Sequence, residues 1–165
     1  MKDLADPTTA ALTVADALER AGLRAAVYGG LALAAYGEPR ETKDADFAVA
    51  STDTEATLAA LRKAGIDATL GFADVRFGGN DLTRFTLFGA VDMTGLNVLD
   101  LVRPRSLRYG AAVLDRSLTG RLGGSAVRIV SPEDFVILKI LSTRERDLED
   151  AASVVRELGA RLDTS

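Results

Sequence analysis

The chain has 165 residues, of which 47% are hydrophobic and 27% charged, and its 20 basic and 24 acidic residues give a net charge of −4. It contains no His and no Cys, which excludes disulfides, zinc ribbons, iron–sulfur clusters and Ser-His-Asp or Cys-His catalysis. Any chemistry must therefore use carboxylates, Lys, Arg, hydroxyls and backbone groups. A bound metal would be one that accepts oxygen ligands only, which means Mg²⁺, Mn²⁺ or Ca²⁺.

The charge and hydropathy patterns also bear on location and partners. The segment Met1–Pro7 is short and acidic, unlike a signal peptide, and no apolar run approaches the roughly 20 residues of a membrane span. We therefore expect a cytoplasmic protein with no membrane partner. The acidic balance disfavours nucleic-acid binding through global charge and leaves a local basic face open.

The first elements alternate between helix and strand. Apolar residues at helical spacing predict a helix over Thr8–Ala21, and Gly22 is a natural stop. The apolar run Leu23–Tyr28 is too short for a helix and predicts a buried strand that ends at Gly29–Gly30. An Ala- and Leu-rich segment, Leu31–Tyr36, then predicts a short helix.

A polar loop, Glu38–Lys43, separates this helix from a strand over Asp44–Ala50 that begins with two acidic residues. A helix is predicted from about Asp53 to Ala64. Three short strands, with turn residues over Gly78–Asp81, are predicted next: Ala68–Leu70, Val75–Phe77 and Thr83–Phe88.

The second half continues the mixed pattern. Strands are predicted over Leu96–Val102 and Ala126–Val130, and the segment Arg105–Leu114 between them is a helix or an Arg-bearing loop. Two helices follow, one capped by Ser131 that ends at about Leu141 and one from about Glu145 to Leu162, with a kink near Ser142–Thr143 left open. We expect an α+β fold, with a core over residues 1–130 and C-terminal helices over 131–165 packed on it as one compact domain.

The residues that indicate chemistry follow the first two strands. Gly29 and Gly30 between a strand and a helix let backbone N–H groups approach a phosphate closely. Asp44 and Asp46 are two residues apart on an extended chain, so their carboxylates project from one face and could hold one or two Mg²⁺ ions. Either feature taken alone is also compatible with an ordinary turn or a solvated strand edge.

A third carboxylate interrupts an apolar strand further along. Asp100 stands within Val98–Val102, and an unpaired buried carboxylate costs several kcal/mol. A metal ion shared with the two earlier acids would be a suitable partner. The alternatives are a helix-capping role or a loop contact with Arg103 or Arg105.

Together these segments resemble the signature of the DNA polymerase beta-type nucleotidyltransferase superfamily. The matching residues are Tyr28-Gly29-Gly30-Leu31-Ala32 and Arg40-Glu41-Thr42-Lys43-Asp44-Ala45-Asp46-Phe47, followed by the single Asp100. Within it, the chain is most similar to the AbiEii/AbiGii-type proteins, which include toxins of bacterial toxin–antitoxin systems. The resemblance implies a nucleotidyltransferase-type mixed sheet with flanking helices and a C-terminal helical pair.

The similarity extends to the C-terminal segment, from Ser131-Pro132-Glu133-Asp134-Phe135 to Arg146-Asp147-Leu148-Glu149-Asp150. On one continuous helix, Lys139, Arg146 and Asp150 would share one stripe. Lys139 stands alone in an apolar run, so it either faces a cleft or is a partly buried lysine paired with Asp147 or Asp150.

The resemblance implies transfer of a nucleoside monophosphate from an NTP to an acceptor hydroxyl, with release of pyrophosphate. Asp44, Asp46 and Asp100 would be the catalytic, metal-binding acids, with Mg²⁺ or Mn²⁺ as cofactor. The expected nucleotide-binding residues are Gly29, Gly30, Arg40, Thr42, Lys43 and Lys139.

Acceptor and partner stay open at this point. The resemblance allows tRNA, a protein hydroxyl or a small molecule as acceptor, and a cognate antitoxin as partner. An Arg-rich stretch after Asp100, from Arg103 to Arg128, is either a basic face or ordinary surface charge. The alternatives to an enzyme are a nucleotide-binding or antitoxin-like module with little turnover, and a protein-binding scaffold.

Overall fold

The computed structural model describes residues 3–88 and 96–165, which form a sheet with helices on its faces. The elements of these residues, in chain order, are α1 (Pro7–Arg20), β1 (Ala26–Val27), α2 (Gly29–Tyr36), β2 (Ala45–Ala48), α3 (Thr54–Lys63), β3 (Asp67–Phe77), β4 (Asn80–Phe88), β5 (Leu96–Pro104), α4 (Leu107–Asp115), β6 (Leu118–Leu122), β7 (Ser125–Ile129), α5 (Pro132–Ser142) and α6 (Glu145–Leu158), followed by a 3₁₀ turn (Gly159–Arg161).

The strands form one mixed sheet in the order β3-β4-β5-β2-β1-β7-β6. Strand β2 lies at its centre, parallel to β5 and antiparallel to β1. The long strands β3 and β4 form a hairpin that extends the sheet beyond β5. The expected α+β class, with a mixed sheet, flanking helices and a C-terminal helical pair, is confirmed.

The capping residues explain where most helices begin. Side-chain oxygens of Asp6, Asp53, Ser106 and Ser131 accept hydrogen bonds from backbone N–H groups in the first turns of α1, α3, α4 and α5. Such caps satisfy donors that have no partner within the helix. The segment left open between helix and loop is therefore a helix, α4.

Two predicted boundaries near the glycine turn are wrong. The strand predicted over Leu23–Tyr28 is reduced to Ala26–Val27, which pairs with β2 and β7. Tyr28 is already the residue that precedes α2, and this helix begins at Gly29 rather than at Leu31. Both glycines of the turn therefore belong to the first turn of α2.

The hairpin strands also differ from expectation. The two strands predicted over Ala68–Leu70 and Val75–Phe77 are one strand, β3, with irregular pairing on either side of Phe72. Strand β6 was not predicted, because Leu122 is its one buried residue and its sequence lacks an alternating apolar pattern.

The C-terminal segment forms two separate helices, as predicted. Thr143 adopts a left-handed conformation with φ of 63° at the end of α5, and α6 starts two residues later. Helix α6 ends at Leu158, before the predicted Leu162, and the 3₁₀ turn follows. The stripe that one continuous helix would give to Lys139, Arg146 and Asp150 is therefore absent, and the contacts between these residues depend on how α5 and α6 pack.

The sheet has an apolar face and a charged row on the other face. Phe47, Leu101 and Phe85 are fully or almost fully buried on β2, β5 and β4, and α1 packs on the side that carries Phe47. The alternate residues of the same strands project from the opposite face. Phe135 and Leu138 of α5 belong to the same buried core. No helix among residues 3–88 and 96–165 has the length and apolarity to cross a membrane.

Candidate active site

A row of three charged residues crosses the middle of the sheet. Asp46 on β2 is in register with Asp100 on β5, and Asp100 is in register with Arg84 on β4. Directly opposed residues on neighbouring strands project from the same face of a sheet. The row therefore places two of the predicted acids, together with an arginine that the sequence did not indicate, on one surface.

Asp100 is paired with that arginine through both of its oxygens. Arg84 Nε donates to Oδ1 at 2.8 Å and Nη2 donates to Oδ2 at 2.9 Å. This parallel two-bond geometry is the strong form of an arginine–carboxylate pair. The predicted alternative partners of Asp100 are wrong, because Arg103 pairs with Asp81 and Asp74, and Arg105 lies 4.0 Å from Asp81.

Asp46 and Asp44 have no comparable partner. Within the described ranges, no donor makes a hydrogen bond or ion pair with either side chain. Burial, the largest cause, and the neighbouring charge of Asp100 together raise the pKa of Asp46 to about 7. The same two causes, in the same order, raise the pKa of Asp44 above its ordinary range. The site thus concentrates negative charge that its own basic groups do not neutralise.

The glycine turn lies directly against these acids. Gly29 has φ of +62°, and a Cβ on it would lie 2.1 Å from Asp46 Oδ2. A Cβ on Gly30 would lie 2.7 Å from Oγ1 and Cβ of Thr42. Any side chain at either position would displace a predicted site residue. The sequence therefore brings the predicted phosphate turn, Asp46 and Thr42 into one place.

The remaining predicted loop residues are divided between the site and its border. Lys43 is exposed, and its charge acts to lower the pKa of Asp44. Arg40 instead turns to α6, where Nε and Nη2 donate to the two carboxylate oxygens of Asp150 at 3.0 and 2.9 Å. Arg40 fastens the loop before β2 to the C-terminal helix.

Lys139 lies in a buried charged cluster beside the acids. Its Nζ is 3.1 Å from Asp147 Oδ1 and 3.0 Å from Asp150 Oδ2, and the residue is 5% exposed. The Nζ also lies over the ring of Tyr28, 5.0 Å from the centroid. The backbone N–H of Tyr28 donates to the Asp46 carbonyl at 2.8 Å, so the cluster adjoins the row of acids. The charge of Lys139 acts to lower the pKa of Asp46. The paired arrangement that the sequence left open is the observed one.

The donor chemistry of the site fits a hard divalent cation. Asp44 and Asp46 supply carboxylate oxygens without protein partners, and their raised pKa values reflect a negative charge that a cation would stabilise. Still, among residues 3–88 and 96–165 no group of three or more acidic side chains is spaced to hold a metal ion. Asp100, the third predicted ligand, is directed at Arg84 instead.

The Arg-rich stretch after Asp100 is largely paired within the protein. Arg103 contacts Asp81, Arg116 makes two hydrogen bonds to the buried Asp134, and Arg128 donates to the Ser117 carbonyl. These contacts favour the interpretation as ordinary structural charge over a continuous basic face.

A cavity of about 500 Å³ lies away from the acids. It opens between α1 and β7 on the face that carries Phe47, and its lining includes Leu12, Leu23 and Val127. The carboxylates are on the opposite face of the sheet. The site is thus identified by its charges and its glycine turn rather than by cavity size.

Comparison with known proteins identifies the family of the chain. The family model described as "Nucleotidyl transferase of unknown function (DUF2204)" matches residues 8–164. A search of curated proteins gave no significant match.

Solved structures support the fold. An antigenic nucleotidyltransferase-like protein from Paracoccidioides brasiliensis is similar at 18% identity and a TM-score of 0.56, over 93% of this chain and 75% of that one. The solution structure of the antibiotic-resistance factor ANT(2'')-Ia is similar at 15% identity and a TM-score of 0.59, over 93% of this chain and 85% of that one. The crystal structure of ANT(2'')-Ia in complex with adenylyl-2''-tobramycin is similar at 14% identity and a TM-score of 0.51, over 93% of this chain and 90% of that one. At such identities the likeness supports the fold alone.

Proposed function

The chain belongs to the DUF2204 family of nucleotidyl transferases, and from that membership we propose a metal-dependent transfer of a nucleoside monophosphate from an NTP to an acceptor hydroxyl, with Asp44, Asp46 and Asp100 as the acids of the reaction. The observation that carries the proposal is the close contact between Gly29 and the side chain of Asp46. A glycine turn at the start of a helix, which suits a phosphate, and an unpartnered carboxylate occupy adjoining positions.

The reaction exchanges one bond at the α-phosphorus for another. The acceptor oxygen forms a bond to the α-phosphorus, the bond to the bridging oxygen of the β-phosphate breaks, and pyrophosphate leaves with that electron pair. A divalent cation at Asp44 and Asp46 would supply charge neutralisation for the phosphates. Asp100 would accept the proton of the acceptor hydroxyl when it is not held by Arg84.

The residues around the acids would bind and orient the nucleotide. The start of α2 lies against Asp46, and the N–H groups of a helix start suit a triphosphate. Thr42 and Lys43 border the region and are proposed phosphate contacts. Arg40 and Lys139 are held by carboxylates of α6, so a phosphate contact from either would share the cation with Asp150.

For the acceptor we favour a group with a small contact area. The resemblance to AbiEii/AbiGii-type toxins supports the 3′ end of tRNA, with a cognate antitoxin as partner. The internal pairing of Arg103, Arg116 and Arg128 gives little support for a long RNA footprint. ANT(2'')-Ia in complex with adenylyl-2''-tobramycin is a reason to include small hydroxyl-bearing molecules among the acceptors tested.

The test incubates the protein with each α-³²P-labelled NTP and Mg²⁺ or Mn²⁺, with separate arms for total tRNA, protein extract and small-molecule extract. We expect one arm to become labelled, and the label to be lost with EDTA, Asp44→Ala or Asp46→Ala. Asp67→Ala, an exposed acid on β3, is the matched control and should leave labelling unchanged. Nucleotide binding without transfer in every arm would instead support the nucleotide-binding or antitoxin-like module. Equal NTP binding by all variants, with or without metal, would contradict the site.

A further inference from the structure

Arg84 occupies both oxygens of a carboxylate that the proposed reaction needs. Among the described residues, it is the one basic side chain that donates to a carboxylate oxygen of Asp44, Asp46 or Asp100. Its pairing neutralises one of three neighbouring negative charges. Arg84 therefore supplies positive charge at a carboxylate where a cation would also act.

The two partners differ in their freedom to move. The Asp100 side chain is 8% exposed and is fixed in the centre of the sheet, whereas the Arg84 side chain is 39% exposed. The guanidinium carbon of Arg84 also lies 5.4 Å from the centroid of the Phe72 ring on β3. An aromatic face can stabilise a guanidinium that has lost its carboxylate. Arg84 can therefore leave Asp100 without losing every favourable contact.

We propose that Arg84 is the counter-ion that occupies both carboxylate oxygens of Asp100 until a divalent cation binds. The cation and Arg84 would then compete for this carboxylate. The inference rests on the proposed metal dependence and adds a residue that sets how readily the cation binds. Arg84 is a positioning residue in this account, since it acts through Asp100. Release of Arg84 would make the carboxylate of Asp100 available only when the cation is present.

Metal affinity in the absence of NTP is the first test. Mn²⁺ binding is measured by electron paramagnetic resonance and Mg²⁺ binding by calorimetry for the wild type, Arg84→Met, Arg84→Lys and Arg103→Met. We expect Arg84→Met to bind Mn²⁺ about tenfold more tightly, because one positive charge and one competitor are gone. Arg84→Lys keeps the positive charge but cannot make the paired hydrogen bonds of a guanidinium. Its Mn²⁺ affinity should therefore lie between those of the wild type and Arg84→Met. Arg103→Met is the matched control, since its partners Asp74 and Asp81 lie outside the site, and should not change affinity.

The second test observes Arg84 directly. In ¹⁵N-labelled wild-type protein, the Nε–H resonance of Arg84 is identified by its loss in Arg84→Lys. On addition of diamagnetic Mg²⁺ it should shift with the same dissociation constant that calorimetry gives. A resonance that stays unchanged while Mg²⁺ binds, or an Arg84→Met variant with unchanged or weaker Mn²⁺ affinity, would overturn the competition and leave the proposed metal dependence intact. No binding of either ion by any variant would overturn both.

Discussion

Gly29 and Asp46 touch so closely that a single added carbon would prevent the contact. A Cβ on Gly29 would lie 2.1 Å from Oδ2, 2.6 Å from Cγ and 2.7 Å from Cβ of Asp46. The φ of +62° at Gly29 also belongs to the region that L side chains rarely adopt. The start of α2 and the second acid of β2 are therefore fixed against each other.

Gly29→Ala should abolish nucleotide binding and destabilise the fold. We expect a loss of about 2–4 kcal/mol in unfolding free energy, which combines backbone strain with displacement of Asp46. Gly65→Ala is the matched control, because Gly65 has φ of +79° with nothing within 4 Å of the added carbon. It should cost only about 1–2 kcal/mol of strain. Urea unfolding and NTP titration check both effects, and equal costs for the two variants would refute the contact.

Asp46→Asn should remove activity and stabilise the metal-free protein. Burial and the charge of Asp100 raise the pKa of Asp46 to about 7, so ionisation of this group opposes folding at neutral pH. The amide keeps the shape and lacks the charge. We expect a gain of about 1–3 kcal/mol at pH 8, measured by thermal and urea unfolding in EDTA.

The pH dependence of this gain has a definite sign. The folded protein holds a proton on Asp46 between its ordinary pKa of 3.8 and about 7, while the unfolded chain does not. The wild type therefore loses stability as pH rises through this window, and Asp46→Asn does not. The difference in unfolding free energy between Asp46→Asn and the wild type should be small at pH 4 and should reach its full value at pH 8. A difference that is constant across this range would show that the charge is not its cause.

Local patterns in the sequence account for the helices and for the two halves of the predicted site. The capping residue Ser131 marks a helix start, and Gly29 marks the turn. Contacts between strands were not readable in the same way. The pairing of Arg84 with Asp100 depends on the register of β4 against β5, which no single segment encodes.

Arg84 did leave one signal in the sequence. It is a charged residue within the predicted strand Thr83–Phe88, as Asp100 is within its own strand, and two such residues of opposite charge are natural partners on neighbouring strands. For Lys139 the sequence correctly offered pairing with Asp147 or Asp150 as an alternative. It could not indicate that both carboxylates would contact the lysine, since this depends on the break at Thr143 and the packing of α6 on α5.

Lys139→Met should lower the stability of the fold more than it weakens direct binding of the NTP. The change leaves the buried carboxylates of Asp147 and Asp150 without their shared cation, although Arg144 and Arg40 still contact them. We expect a loss of about 2–4 kcal/mol in unfolding free energy. Lys63→Met, at the exposed end of α3, is the control and should stay within about 0.5 kcal/mol. Unchanged stability with a tenfold weaker NTP affinity would instead assign Lys139 directly to the phosphates.

Arg40→Met should weaken the protein at neutral pH and have little effect in acid. Burial acts to raise the pKa of Asp150, but the hydrogen bonds from Arg40 and the charge of Lys139 outweigh it and lower this pKa below 3.8. The stabilisation is therefore present above about pH 4 and is lost as pH falls through the folded pKa. We expect Arg40→Met to cost about 1–2 kcal/mol at pH 7, with the difference from wild type shrinking below pH 4. Arg20→Met removes an exposed pair with Asp16 and should cost less than about 0.5 kcal/mol at either pH. A cost for Arg40→Met that persists unchanged at pH 3 would show that packing of the Arg40 side chain, rather than its ion pair, fastens the loop to α6.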